Sequence, residues 1–99
     1  MVEITTLDEL TGRPHAEVFD EHAPRAVRLD LAAGESLPEH AHPGSNVVLH
    51  VLDGELTLTL DGEPHDLSAG DVARFGGDRE ISPRATDRAN ALLVFAPTA

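Results

Sequence analysis

The sequence predicts an all-β domain, a sandwich or barrel built from many short strands. Three observations carry that prediction. Apolar and polar residues alternate in short runs along most of the chain. Turn signals separate the runs, chiefly Asp53-Gly54, Asp61-Gly62 and Ala69-Gly70-Asp71. No helical periodicity lies between them, which argues against a parallel sheet with crossover helices.

The elements follow in order. Residues 6–10 carry the only helix signal, a single turn with Thr6 as its cap and Glu9 three positions on. A short strand is expected at 16–19. Residues 26–31 alternate clearly, with Val27, Leu29 and Leu31 on one face and Arg28 and Asp30 on the other. Residues 47–52 are apolar on both faces, so this strand needs cover on both sides. In the next strand Leu56, Leu58 and Leu60 alternate with Thr57 and Thr59. Short strands are then expected at 65–67, 72–75, 80–82 and 91–95, eight named runs in a domain of about nine strands. Asp71 is expected to cap its own turn through the side chain.

The length of 99 residues suits one domain. Cysteine is absent, which excludes disulfides, thiolate chemistry and any cysteine-based zinc site. The first ten residues hold no basic start and no apolar run, so they are not read as a signal peptide, and no stretch is apolar enough to span a membrane. A cytoplasmic location is expected. All the basic residues are arginine, and the net charge is -11. That charge repels nucleic acid and anionic lipid, so neither is an expected partner. The acidic, lysine-free composition fits a salt-adapted halophile and a GC-rich mesophile equally.

The stretch 34–54 reads GESLPEHAHPGSNVVLHVLDG. It resembles the first motif of the cupin family, G-x5-H-x-H-x(3,4)-E-x6-G, with Gly34, His40, His42 and Gly54 in place. A second motif, G-x5-P-x-G-x2-H-x3-N, can be laid from Gly70 by spacing alone. Gly76, Asp78, Ile81 and Ala85 then stand in its proline, glycine, histidine and asparagine slots. The resemblance covers 25–97 and implies a cupin-like double-stranded β-helix, a jelly-roll barrel of two antiparallel sheets. The expected organisation is a single cupin domain over 1–99, with an N-terminal segment at 1–24 and the barrel core at 25–97.

Cupins hold a metal with two histidines and a glutamate of the first motif and a histidine of the second. Here the resemblance implies His40 and His42 as metal ligands. The glutamate slot falls on Val47, or on Asn46 by the shorter spacing, and the last histidine slot on Ile81. The implied cofactor is one divalent transition metal, Zn, Fe, Ni, Cu or Mn, with half its usual ligands missing.

His40 and His42 are two apart, so on a strand their imidazoles share a side. His50 sits between Leu49 and Val51 and is expected to point out of the barrel; it is a weaker ligand candidate. His65 shares parity with Leu67 and is read as a core histidine, with a ligand role as the alternative. His15 and His22 lie in polar segments and are expected in solvent. Arg74 and Arg79 flank the second motif, either to meet an anionic ligand or to pair with neighbouring carboxylates. The scarce aromatics Phe19, Phe75 and Phe95 are read as packing.

The function expected is a small stand-alone cupin that binds a small molecule in its barrel, with a metal possible. A metal-dependent oxygenase or isomerase and a non-catalytic structural or assembly module are the alternatives. A homodimer is expected through the outward faces of 47–52 and 91–95, unless the N-terminal segment covers them through Val2, Ile4, Val18 and Phe19.

Overall fold

The computed structural model describes residues 2–20 and 22–98. Eight strands form among them: β1 (His15–Glu17), β2 (Arg25–Leu31), β3 (Ser45–Asp53), β4 (Glu55–Leu60), β5 (Glu63–Ser68), β6 (Val72–Gly76), β7 (Ile81–Ala85) and β8 (Ala89–Pro97). A five-stranded sheet runs β1-β2-β8-β3-β6 and a three-stranded sheet runs β5-β4-β7. Every pairing is antiparallel. The last strand inserts between β2 and β3, the crossover that closes a jelly roll.

Cross-strand register builds the core in layers. Arg25, Phe95, Val47 and Phe75 stand side by side across β2, β8, β3 and β6; Val27, Leu93, Leu49 and Ala73 form the next layer. The facing sheet contributes Leu56, Leu58, Leu60, Ile81 and Ala85, all buried. Leu49, Leu56 and Leu58 are sealed almost completely from solvent. This is the alternation expected of 26–31 and 56–60, with each strand's second face turned outward.

Tight turns set the register. Asp61 and Gly62 both take positive φ, 51° and 82°, as a two-residue hairpin between β4 and β5 requires. Gly54 also has positive φ, and a Cβ there would collide with the carbonyl of Arg88. The Ser68 N–H donates to Asp71 Oδ2 at 2.9 Å, so Asp71 does cap its turn.

Several expectations are corrected. Eight strands form rather than nine, and the strand expected at 16–19 is His15–Glu17, with Phe19 half-buried beyond it. The strand at 80–82 extends to Ala85, because β4 pairs with it through Pro83 and Arg84. A 3-10 turn forms at Leu7–Glu9, but the Thr6 side chain makes no capping hydrogen bond. His65 is exposed, not a core residue. Its strand is the edge of the three-stranded sheet, and only Leu67 on it packs against the core.

Arg28 and Asp30, on the outward face of β2, are buried beneath the N-terminal segment. Arg28 donates to the carbonyls of Leu7, Leu10 and Gly12 at 3.2–3.3 Å. Asp30 accepts from Arg13 at 3.1 Å and from Arg88 at 3.3 Å. Burial works to raise the Asp30 carboxyl; the hydrogen bond and charge of Arg88, with Arg13, outweigh it and hold the group below its ordinary range. Cover by this segment is therefore polar, and Val2 and Ile4 remain exposed.

Candidate ligand-binding site

The residues between β2 and β3 carry both motif histidines across the open end of the barrel. Backbone bonds dock this connection onto β7: Leu37 N–H donates to the Pro83 carbonyl at 3.0 Å, and His40 exchanges two bonds with Ile81, at 3.1 and 2.8 Å. His42 N–H donates to the Gly77 carbonyl at 2.6 Å. Gly77 sits so close to His42 and Ser45 that any Cβ would strike their carbonyls. The histidines are thus placed by main-chain pairing.

The two rings meet edge-on, with centroids 4.9 Å apart, and His42 also meets the edge of Phe95 at 4.8 Å. His40 Nδ1 lies 2.9 Å from the Pro38 carbonyl. A carbonyl oxygen only accepts, so Nδ1 carries the proton and Nε2 of the neutral ring is left as an acceptor. Burial lowers the pKa of His42, and the neighbouring His40 and Arg25 lower it further.

These rings border a cavity of about 330 Å³. Val27 and Leu29 of β2, Leu93 and Phe95 of β8, and Leu37 and Pro38 form its apolar walls. His15, Arg25, Glu39, His40 and His42 supply the polar groups. Deeper in the barrel the space shrinks to about 30 Å³ between Leu49, Leu58 and Ile81. The cavity is a mouth above a filled core.

Of the residues expected from the sequence, His40 and His42 come together here. His50 is half-buried between inward Leu49 and Val51, on the outer side as expected, and neither it nor His65 lines the cavity. Arg79 pairs with Asp61 at 3.0 Å, and Arg74 is exposed; neither reaches the cavity. His15 and His22 are both exposed as expected; His22 lies 3.2 Å from Glu17, and His15 also lines the mouth. Arg25 and Glu17 were not singled out from the sequence. The signal existed for Arg25, which continues the inward parity of Val27, Leu29 and Leu31 by one step.

A resident metal centre of the usual four-donor kind does not fit these residues. Val47 is wholly buried and Ile81 is 4% exposed, both within the apolar core. Among the described residues no group of three His, Cys, Asp or Glu side chains is placed to hold an ion. Of the four family ligand slots, this chain fills two, with the imidazoles of His40 and His42. Among the described residues, no helix is long and apolar enough to cross a membrane.

Comparison with known proteins places the site in context. The family model described as "Cupin domain" matches residues 27–96. Quercetin 2,3-dioxygenase of Bacillus subtilis (strain 168) is 39% identical over 84 residues, which are 85% of this chain and 23% of that protein. The tetracenomycin polyketide synthase protein TcmJ of Streptomyces glaucescens is 34% identical over 74 residues, 72% of this chain and 49% of that protein. The chain therefore spans less than half the length of either curated relative. Among solved structures, KdgF from Halomonas sp. superposes with a TM-score of 0.83 at 19% identity, covering 100% of this chain and 96% of that one. With the jelly roll, the first-motif spacing and a family match over most of its length, this chain belongs to the cupin family.

Proposed function

We propose that the protein binds a small, planar and largely apolar molecule in the barrel mouth, with His40 and His42 as polar contacts. One observation carries this reading: apolar side chains from β2 and β8 enclose a cavity on which both imidazoles border. Its volume is at the lower end of ordinary ligand pockets, which start at about 300 Å³. Nε2 of His40, left as an acceptor, suits a ligand hydroxyl. The metal-dependent enzyme reading would need a third donor beside His40 and His42; neither His50 nor His65 lines the cavity, and the family slots at 47 and 81 hold Val47 and Ile81 in the core. The scaffold reading fits a filled barrel better than one with an open mouth.

One relative is named for quercetin and another for a polyketide synthase, so an aromatic polyphenol is the first probe to use. Amide chemical shifts of the labelled protein, followed as quercetin is added, should move at Leu29, Leu93 and Phe95. Phe95→Ala should weaken binding about tenfold, since loss of a stacking aromatic removes large contact area. Shifts confined to β5, or binding indifferent to Phe95, would reject the site.

We also infer that the outer face of the five-stranded sheet pairs with a second copy of the chain. Val48 and Val72 are 38% and 61% exposed there, beside half-buried Leu92 and Val94. The N-terminal segment covers the adjoining outer face of β2 instead, through its bonds to Arg28.

A further inference from the structure

The innermost face of β2 is apolar except at its first residue. Arg25, Val27, Leu29 and Leu31 alternate inward, and the guanidinium of Arg25 stands at the barrel mouth. Two contacts fix it. Its Nε donates to Glu17 Oε1 and Oε2 at 2.9 and 3.1 Å, and its Nη2 donates to Oε2 at 2.7 Å. Its Cζ lies over the Phe95 ring, 5.2 Å from the centroid. The pair spans neighbouring strands, since Glu17 lies opposite Val27 in the β1–β2 register. Hydrogen bonding to Arg25 holds the Glu17 carboxyl below its ordinary range, so the pair stays ionised.

The fork is only partly used. Nε and Nη2 are engaged, while Nη1 has no protein partner among the described residues. The same arginine also lines a second pocket of about 120 Å³, together with His42 and Phe95, so its side chain stands between the two spaces. An arginine pre-oriented in this way loses little freedom on binding and presents paired donors to a flat oxyanion.

We propose that Arg25 is the specificity-determining residue of the barrel mouth, selecting ligands that carry a carboxylate beside an aromatic ring. The carboxylate takes the remaining Arg25 N–H donors, and the ring lies against Phe95 and Leu93. Glu17 acts as a positioning residue that holds the guanidinium in place. This rests on the binding reading given above and names the ligand class for the same cavity.

Two probes of one shape separate charge from fit: 2-naphthoate and 2-naphthalenemethanol. Naphthoate should bind at least about tenfold more tightly than the alcohol, as a charge-assisted hydrogen bond at a partly desolvated site allows. Arg25→Met should abolish that preference and bring the two affinities within about twofold of each other, whereas loss of a purely structural arginine would weaken both probes together and keep their ratio. Should the variant fail to fold, the unaltered protein still decides. Its Arg25 Nε–Hε resonance should move with naphthoate and stay with the alcohol. Equal affinity for both probes, or an Arg25 signal that answers neither or both alike, overturns the proposal. If neither probe shifts the amides of Leu93 and Phe95, the binding reading itself fails, and the two failures are distinct.

Discussion

His42 couples the site to pH. Its imidazole is held below the ordinary value, so the folded chain takes up that proton less readily than the unfolded one. Below about pH 6.5 the unfolded chain binds more protons at this residue, and stability falls from there down through the lowered folded value; above that window His42 contributes no slope. Urea unfolding at pH 7.5 and 5.5 should show a smaller acid loss in His42→Asn than in the unaltered protein. Equal losses would remove His42 as a source. Residues 47 and 81 make a second test. If those two slots alone separate this chain from a metal-holding relative, Val47→Glu with Ile81→His should retain nickel near stoichiometry after gel filtration, and the unaltered chain should not. At this scale the sequence was readable where motif spacing is rigid. Gly34, His40, His42 and Gly54 could be placed because all four match one motif at fixed spacing. Arg25 was legible only by extending a strand past its apolar run, where the polar side chain hides the parity. Glu17 was not legible, since β1 is too short to show alternation.

Among the elements, β2 and the N-terminal segment show why composition alone misleads. Arg28 and Asp30 have the look of a solvated face, yet both are buried because backbone carbonyls and two arginines meet them. Arg28→Ala would leave the carbonyls of Leu7, Leu10 and Gly12 without this donor. A loss of about 2–4 kcal/mol is expected in chemical unfolding, with the N-terminal amides exchanging fastest. An unchanged midpoint would show that water replaces the arginine freely. The hairpins were easier to read, because Asp-Gly pairs demand positive φ and leave few alternatives. Gly54→Ala should cost more than about 2 kcal/mol, combining a left-handed backbone with the collision against Arg88. The edge strand β5 defied its parity: facing inward does not bury His65 where no opposing layer reaches it.

For the whole molecule, two sheets close on a core of Leu, Val and Ala with few aromatics, and a cavity of about 330 Å³ at the barrel mouth is bordered by the motif histidines. A net charge of -11 per chain opposes self-association at low ionic strength and less so in salt. Sedimentation equilibrium in molar KCl should therefore return a dimer, and Val48→Glu with Val72→Glu should return the monomer mass of 10.5 kDa. A monomer in the unaltered protein under those conditions would leave Val48 and Val72 as a solvated patch. The proposed binding at the mouth uses the chain's own apolar walls and imidazoles and requires no resident ion. Calorimetric titration of quercetin into chelator-dialysed protein, repeated with added nickel, tests it most directly. The same affinity is expected in both, within about twofold, with a negative heat-capacity change from apolar burial. Binding that appears only when the metal is restored would contradict it.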